Sequence, residues 1–367
     1  MNLLFVLSHL RKGGLVEIVY NLCRQLLKER EITLYILTLR KESEQTKIDA
    51  FRKLGILVEQ LNLSYGECEI LTKIIRKKVQ QIVESHHIDI VHCHGYHSVL
   101  VGSRLKGVWK LSTLHDRANE DFLNVFGPFI GNYMLCRYLH SLQLFDRNIA
   151  VGKSAAEMYQ KYMTNVVYVN NGIDISKYSI AKETERISLR KRLGLPLDAK
   201  IFISTGRIER EKRYEELTAW FLSVAGKFPA ILLVLGDGSR LKACRQKADN
   251  SFQIIFTGNV SNVADYLKCS DYYISNSKSE GMSLAVCEGI CCGLFPVLSD
   301  IPAHRDVAED IDGIFFVHPS EINIEALLEK TTNKEKLHQY IVDRFSNATM
   351  VASYLEYYNK CGIEDKR

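Results

Sequence analysis

The sequence predicts an α/β protein with two domains, each built on a doubly wound parallel β-sheet. The chain has 367 residues, which at about 150 residues per domain corresponds to two domains with their own cores. Short apolar runs typical of buried strands alternate with stretches of helical period along the whole chain. Strands separated by helices form parallel sheets with both faces covered, so this alternation favours two sheets of that kind.

The first half opens as a strand, a helix and a strand, at residues 3–7, 14–28 and 32–39. A long amphipathic helix is predicted at 67–84. The further strands predicted in this half are 88–93, 110–114, 147–151 and 166–169.

Turn residues interrupt the pattern at 170–174, and a second alternating series then begins. Its strands are predicted at 201–204, 231–235, 254–257, 272–275 and 294–298, and a final helix at 350–358. We therefore expect domains at 1–170 and 171–345, followed by a C-terminal helical segment, 346–367, that crosses back to the first domain. Open parallel sheets bind ligands at the carboxyl ends of their strands, so a ligand cleft between the two domains is expected.

Composition excludes several classes of protein. With 46% hydrophobic and 25% charged residues the chain is an ordinary globular protein, and no apolar run reaches the roughly 18 residues that span a bilayer. The first residues lack a basic segment and a cleavage site, so they are interpreted as a strand and not as a signal peptide, and a cytoplasmic location is expected. Most of the ten cysteines lie in apolar runs, which predicts reduced thiols and no structural disulfides.

Basic residues are concentrated in the first half of the chain. Residues 1–170 hold 22 Lys and Arg against 16 Asp and Glu, a balance of +6, whereas the remainder holds 26 against 27, a balance of −1. The predicted helix at 67–84 carries Lys73, Arg76, Lys77 and Lys78. These residues suggest an anionic membrane surface as a partner, although a solvated helix face explains them equally well.

The segment SEGMSLAVCE, which follows a predicted strand, is the most informative part of the sequence. Gly281 and Ser283 suit a turn and an N-cap, so a helix starting near Met282 would direct its free amides at an anion. Glu288 lies eight positions after Glu280, about 12 Å along a helix, which is comparable with the span of a nucleotide sugar. An ordinary capped helix with two surface glutamates is the alternative.

This spacing of glutamates, within SEGMSLAVCEGICCGLFPVLSD, resembles the signature of glycosyltransferase family 4, whose members are retaining enzymes of GT-B fold. Similar matches continue in order along most of the chain. The resemblance implies two Rossmann-like domains that face each other across a cleft. The other matching segments are Gly13-Gly14, the run from Thr113 to Asp116, the run 171–174, Gly206-Arg207 with Glu211-Lys212, the run from Gly236 to Gly238, and the run 256–260.

The resemblance also implies roles for individual residues. Its catalytic residues correspond to His115, Glu280, Arg207 and Lys212. Arg207 and Lys212 would hold the diphosphate, Glu280 a sugar hydroxyl, Glu288 the ribose, the backbone of Val260 the base, and His115 or the backbone after it the transferred sugar. The donor-binding set is Gly13, Gly14, Arg207, Lys212, Val260, Glu280, Gly281, Met282, Ser283, Leu284 and Glu288.

Histidines in the first half invite a metal interpretation. His92 and His94 alternate along a predicted strand, with His97 shortly after, but no carboxylate lies close to them in the sequence. We expect His94, His97 and Asp116 to contribute to an acceptor-side surface. No Asp-x-Asp signature occurs at a strand end, so no metal and no cofactor are expected. The run from Gly236 to Gly238 lacks the pattern of a dinucleotide-binding loop.

The predicted function is transfer of a sugar from a nucleoside diphosphate donor, most simply a UDP-sugar, to a glycan or lipid-linked oligosaccharide in surface polysaccharide biosynthesis. Nucleic acid is not an expected partner. Two alternatives stay open: a nucleotide-sugar 2-epimerase of the same fold, and a non-catalytic, membrane-associated binding protein.

Overall fold

The chain forms two compact units in a computed structural model that describes residues 1–29, 31–42, 46–115, 118–330 and 333–364. One unit contains Met1–Gly172 together with Asn347–Arg367, and the other contains Ile173–Ser346. Both points at which the chain changes unit lie within two residues of the predicted domain boundaries. The C-terminal segment therefore belongs to the same unit as the N-terminus.

All thirteen named strands pair in parallel with their neighbours in two sheets. The strands of the first unit are β1 (Asn2–Leu7), β2 (Thr33–Arg40), β3 (Leu57–Leu63), β4 (Ile90–His94), β5 (Trp109–Leu114), β6 (Arg147–Ala150) and β7 (Val166–Tyr168). The strands of the second unit are β8 (Lys200–Thr205), β9 (Ala230–Leu235), β10 (Ile254–Gly258), β11 (Tyr272–Ser275), β12 (Phe295–Ser299) and β13 (Ile314–Phe316).

Helices cover the sheets, as expected for strands that are joined by long crossovers. The first unit contains α1 (Gly14–Leu26), α2 (Ile48–Lys53), α3 (Tyr65–Ile70), α4 (Thr72–Ser85), α5 (Tyr96–Gly102), α6 (Ala118–Leu142), α7 (Lys153–Gln160) and, from the end of the chain, α16 (Asn347–Glu364). The second unit contains α8 (Glu183–Arg192), α9 (Tyr214–Ala225), α10 (Leu241–Ala248), α11 (Val263–Lys268), α12 (Leu284–Cys291), α13 (Pro302–Ala308), α14 (Ile324–Leu328) and α15 (Lys334–Phe345), with short 3₁₀ helices at Arg210–Lys212 and Pro319–Glu321.

Four elements differ from the sequence prediction. The helix predicted at 67–84 is two helices, α3 and α4, because Leu71 leaves the helical conformation and the Thr72 hydroxyl donates to the Cys68 carbonyl at 3.1 Å. The strands β3 and β13 were not predicted, and both lie at sheet edges. The C-terminal helix extends at both ends beyond the predicted residues 350–358.

Each sheet contains a point at which the order of its strands reverses. The order is β3-β2-β1-β4-β5-β6-β7 in the first unit and β10-β9-β8-β11-β12-β13 in the second. The reversals therefore lie between β1 and β4 and between β8 and β11. Such switch points are where open parallel sheets bind ligands, beyond the carboxyl ends of the two strands.

Apolar side chains on both faces of these central strands hold the helices in place. Every residue of β4, β9, β11 and β12 is buried, which is the pattern of a sheet with two covered faces. In the part of the chain that the structure describes, no helix combines the length and the apolar character needed to cross a membrane.

Candidate active site

Two loops lie side by side at the switch point of the second unit. One follows β8 and leads to α9, and the other follows β11 and leads to α12. The strands are hydrogen-bonded neighbours, with Tyr272 opposite Phe202 and Tyr273 opposite Ile203. Because the carboxyl ends of parallel strands share one edge of the sheet, the two loops converge there.

Arg213 fastens these two loops together. Its Nε donates to the carbonyl of Asn276 at 2.8 Å, and the amide of Lys278 donates to the carbonyl of Glu211 at 2.7 Å. Arg213 has a φ of 48°, a left-handed conformation that a non-glycine residue keeps only where its surroundings hold it. Arg213 was not among the predicted site residues, and its only signal in the sequence was its place in a basic run.

Lys212 and Glu280, one from each loop, form an ion pair. Lys212 Nζ lies 3.0 Å from Glu280 Oε1, and the side chains are 22% and 8% exposed. His304 Nε2 lies 3.5 Å from the same oxygen. Burial by itself would raise the pKa of Glu280, but the Lys212 ammonium and then His304 outweigh it and hold this pKa well below its ordinary value. Glu280 is therefore an ionised carboxylate whose charge is matched inside the site.

His304 is a site residue that the sequence reasoning missed. It lies on α13, which follows β12, the strand next to β11. Its Nδ1 lies 2.8 Å from the carbonyl oxygen of Ser299, and since a carbonyl can only accept, Nδ1 carries a proton and donates. This bond directs the opposite edge of the buried ring at Glu280. A histidine after the end of a neighbouring strand was the signal that could have identified it.

The start of α12 differs from the prediction in a way that changes the expected spacing of the paired glutamates. The helix begins at Leu284 and not near Met282, and Ser283 is a buried N-cap residue whose side chain makes no capping hydrogen bond. Glu280 precedes the helix by four residues, whereas Glu288 lies within it, so the estimate of their separation along one helix is wrong. The first-turn amides of α12 lack a side-chain cap, which leaves them suited to an anion.

The other predicted donor residues of the second unit follow its strands at the same sheet edge. Arg207 is exposed in the loop after β8, and Gly281 and Met282 lie in the loop before α12. Val260 follows β10 and packs, half-buried, against the core. The structure thus places these residues at strand ends, and their contacts with a donor stay a prediction.

Gly236, at the end of β9, is explained by packing. Its φ is 139°, and a Cβ atom at this position would lie 1.9 Å from the carbonyl oxygen of Gly206. Only glycine permits this approach of two backbones. The glycine therefore fixes the start of the loop that carries Arg207.

Gly13 and Gly14 lie at the switch point of the first unit. Gly13 is the N-cap of α1, and both glycines are exposed. A Cβ atom added at Gly14 would have no atom within 4 Å, so the fold itself does not require glycine there.

Three buried or half-buried histidines lie close together on β4 and at the end of β5. His94 Nδ1 lies 2.9 Å from His115 Nε2, and the two nitrogens of His92 contact Thr113 Oγ1 at 2.7 Å and the Tyr358 hydroxyl at 2.8 Å. Burial lowers the pKa of His92 to about 3 and of His115 to about 4, and it lowers the pKa of His94 well below its ordinary value. All three imidazoles are therefore neutral near pH 7. His94 is only 2% exposed, so it contacts His115 and not an open surface.

His97 joins a different network. Its Nε2 lies 3.0 Å from a carboxylate oxygen of Glu69, which also pairs with Arg137. His97 is buried, and this pairing gives it a structural role in the first unit. Asp116 lies outside the described residues. Among the residues that the structure describes, no three His, Cys, Asp or Glu side chains are grouped to hold a metal ion.

Comparisons with known proteins agree with this architecture. A family model described as "Glycosyltransferase Family 4" matches residues 12–177, and one described as "Glycosyl transferases group 1" matches residues 185–346. An alpha-monoglucosyldiacylglycerol synthase of Streptococcus pneumoniae is 26% identical over 300 residues, which cover 73% of this chain and 66% of that protein. The O-antigen biosynthesis glycosyltransferase WclY of Escherichia coli is 20% identical over 382 residues, covering 98% of each chain. The crystal structure of Anabaena HepE in complex with UDP superimposes with a TM-score of 0.81 at 15% identity, covering 98% of this chain and 100% of that one.

Two units, each built on a doubly wound parallel sheet, match the fold of the GT-B class of glycosyltransferase. Within that class, the chain belongs to glycosyltransferase family 4. The predicted fold and the predicted transferase class are confirmed.

Proposed function

We propose that this protein is a retaining glycosyltransferase that moves a sugar from a UDP-linked donor to a glycan or a lipid-linked oligosaccharide during surface polysaccharide assembly. The ion pair of Lys212 and Glu280, beside the uncapped start of α12, carries the donor half of this proposal. A nucleotide sugar carries a diphosphate between two hydroxylated groups, the sugar and the ribose. The Lys212 ammonium and the α12 amides suit the diphosphate, and the carboxylates of Glu280 and Glu288 suit the hydroxyls. UDP in the HepE complex supports the nucleotide, and the names of WclY and of the Streptococcus synthase support a polysaccharide or lipid-borne acceptor.

In this proposal the second unit binds the donor. The Lys212 ammonium has three N–H groups, of which one points to Glu280, so two are left for the diphosphate. Arg207 supplies a bidentate fork to the same group. Glu280 accepts from a sugar hydroxyl with its remaining lone pairs, Glu288 accepts from the ribose, and the backbone of Val260 contacts the base.

The reaction places negative charge on the departing phosphate. The bond from the anomeric carbon to the phosphate oxygen breaks, the acceptor oxygen bonds to the same face of that carbon, and the acceptor proton goes to the departing phosphate. Arg207, Lys212 and the α12 amides stabilise this charge as it develops. We propose that these groups suffice without a metal ion, so a chelator should leave the rate unchanged.

The test is a transfer assay with UDP-, GDP- and ADP-sugars and isolated lipid-linked acceptors, followed by NMR of the product. The expected product has the anomeric configuration of the donor. Arg207→Ala should cut turnover by at least about 100-fold, because it removes charge stabilisation at the leaving group. Arg210→Ala is the matched control, since this exposed arginine lies three positions further along the same loop.

Other results would favour the alternatives. An isomerised sugar nucleotide formed without acceptor would identify an epimerase. No stabilisation of the protein by UDP, GDP or ADP in thermal unfolding would identify a protein that does not bind a donor.

The first unit also carries an exposed apolar surface that fits a membrane-borne acceptor. The α3 and α6 helices adjoin here, with the rings of Tyr65 and Phe126 at 6.5 Å between centroids. Phe129 is 91% exposed and Ile70 is 82% exposed, which is unusual for side chains of this size. The exposed apolar residues of α3, α4 and α6 beyond these rings are Ile70, Ile74, Leu123, Val125, Phe129, Ile130 and Tyr133.

Lysines accompany this surface on α4, where Lys73, Lys77 and Lys78 are exposed. Arg76 instead donates to the carbonyls of Leu100 and Val101 and is not part of the basic face. Apolar side chains beside lysines match the headgroup region of an anionic bilayer, so we propose peripheral membrane attachment through this surface.

Co-sedimentation with vesicles of phosphatidylglycerol, and with vesicles of phosphatidylcholine, tests the attachment. Binding should require the anionic lipid and weaken with salt. A Phe129→Ser, Ile130→Ser double variant should lose it, whereas Phe252→Ser, at a site 87% exposed in the second unit, should not. Equal binding by these variants would overturn the attachment and leave the transfer reaction untouched.

A further inference from the structure

The contact between His94 and His115 constrains where the protons of both rings lie. His94 Nδ1 and His115 Nε2 are 2.9 Å apart, which is hydrogen-bond distance. Both rings are neutral near pH 7, because burial disfavours the imidazolium form of each. A neutral imidazole carries one proton, so one of the two facing nitrogens donates and the other accepts.

The other nitrogen of His94 decides between these two arrangements. His94 Nε2 is buried and makes no hydrogen bond to any described residue. Apart from His115 itself, the aromatic rings nearest to His94 are those of His92, with centroids 4.3 Å apart, and Phe5, at 5.8 Å. If Nε2 carried the proton, a buried N–H donor would be left without an acceptor, which is rarer and more costly than an unused lone pair.

His92 does not provide an acceptor for an N–H group at His94 Nε2. Its Nδ1 contacts the Tyr358 hydroxyl and its Nε2 contacts the Thr113 hydroxyl, so both nitrogens are occupied. The proton of His94 therefore lies on Nδ1 and is donated to His115 Nε2. His115 then carries its own proton on Nδ1.

We propose that His94 is a positioning residue that holds His115 in the Nδ1–H tautomer, so that His115 offers a fixed hydrogen-bond donor to an oxygen of the transferred sugar. This inference rests on the proposed function and adds the atom through which His115 acts. His115 is half-buried at the end of β5, whereas His94 is enclosed beside it. In this arrangement His115 neither accepts nor releases a proton during transfer.

The tautomer is measured directly by long-range ¹H–¹⁵N correlation spectra of the full-length protein with ¹⁵N-labelled histidine at pH 7.5. Spectra of His115→Phe and His94→Asn assign the two rings. The expected pattern for His115 is a protonated Nδ1 and an unprotonated Nε2. A protonated Nε2 on His115 would overturn the proposal even if the protein transfers sugar.

Two substitutions at His94 separate positioning from packing. His94→Asn keeps an N–H group that can donate to His115, whereas His94→Leu fills similar space without a donor. His94→Leu should give a mixture of His115 tautomers and lower kcat by roughly tenfold, with little change in the KM for the donor. His94→Asn should keep most of the Nδ1–H tautomer and most of the wild-type kcat. Equal losses in the two variants, with the tautomer unchanged, would assign His94 a packing role only.

The spectra test the tautomer and the kinetics test the proposed function, so each proposal can be refuted without the other. A protein that shows the expected tautomer but transfers no sugar would overturn the proposed function and keep the assignment of the protons. A protein that transfers sugar while His115 is in the opposite tautomer would support the proposed function and overturn the assignment of the protons.

Discussion

Lys212→Met is the substitution that most directly tests how the proposed donor site is built. Methionine keeps much of the length of the lysine side chain but removes the ammonium that lies 3.0 Å from Glu280. At this distance and an effective dielectric constant of 20, the attraction is about 5–6 kcal/mol before desolvation is counted. Glu280 keeps His304 and Ser277 as partners, and Lys212 is partly solvated, so we expect a net loss of about 2–3 kcal/mol in the free energy of unfolding of the second unit.

A double-mutant cycle isolates the pair. Glu280→Gln should cost less than Lys212→Met, because a lysine left alone can turn to solvent whereas a buried carboxylate cannot. The double variant should be more stable than the sum of the single losses predicts, by about 1–3 kcal/mol. Urea unfolding at pH 7.5 in a Trp109→Phe background is a suitable assay, since the fluorescence then comes from Trp220 in the second unit.

The control pair is Arg240 and Glu215, which lie 2.6 Å apart with side chains 46% and 33% exposed. Its coupling should be at most about 1 kcal/mol, as is usual for solvated pairs. Strictly additive losses at Lys212 and Glu280, or a coupling no larger than that of the control, would refute the idea that a buried charge is neutralised at this switch point.

Two further predictions concern stability. His92, His94 and His115 have lowered pKa values in the folded protein, so the unfolded chain binds more protons than the folded protein as the pH falls below about 6.5. The free energy of unfolding should therefore fall by roughly 4 kcal/mol per pH unit near pH 5. A free energy of unfolding that stays constant in urea titrations between pH 6.5 and 5 would contradict this. Gly236→Ala should cost more than about 3 kcal/mol, because its Cβ would meet a backbone carbonyl at 1.9 Å. Gly226→Ala, with no atom within 4 Å of the added Cβ, should change the thermal midpoint little.

Much of the fold could be predicted because central strands of parallel sheets are apolar on both faces. Strands such as β9 and β11 can be recognised in the sequence as buried strands, since all of their residues are buried and most are apolar. Edge strands lack this signature. β3 is half-exposed, with Leu57 48% exposed, and β13 has only three residues, so neither stands out from the surrounding loops.

The break between α3 and α4 shows the limit of periodicity as a signal. The apolar pattern continues across Leu71, so the sequence favours one helix. The structure ends α3 there and starts it with a capping box between Ser64 and Glu67. The Ser-x-x-Glu spacing of this cap is present in the sequence, but it was not among the predictions.

Lys212 and Glu280 were each predicted as site residues, but their contact with each other was not. Lys212 and Glu280 are far apart in the chain, and their pairing depends on β8 and β11 being neighbours, which follows from the strand order. His304 reaches the same carboxylate from the strand after that. The sequence therefore predicted a contact between Glu280 and the sugar, but it did not reveal that the Lys212 ammonium lies against the same carboxylate.

Arg207 and Lys212 were both predicted to hold the diphosphate, one as a fork and the other as a point charge, and the structure adds the different surroundings of the two side chains. Lys212 has a flexible side chain, and its pairing with Glu280, on a loop that Arg213 fastens, fixes the position of its charge. Arg207 is exposed on the same loop, and its planar fork carries its own directionality. A point charge needs a fixed position to favour the leaving phosphate over water, because only charge that is already oriented stabilises a developing anion without reorganisation. In the proposed function, the carboxylate beside Lys212 therefore holds the ammonium in place for the leaving phosphate, although it lowers the net charge of the site.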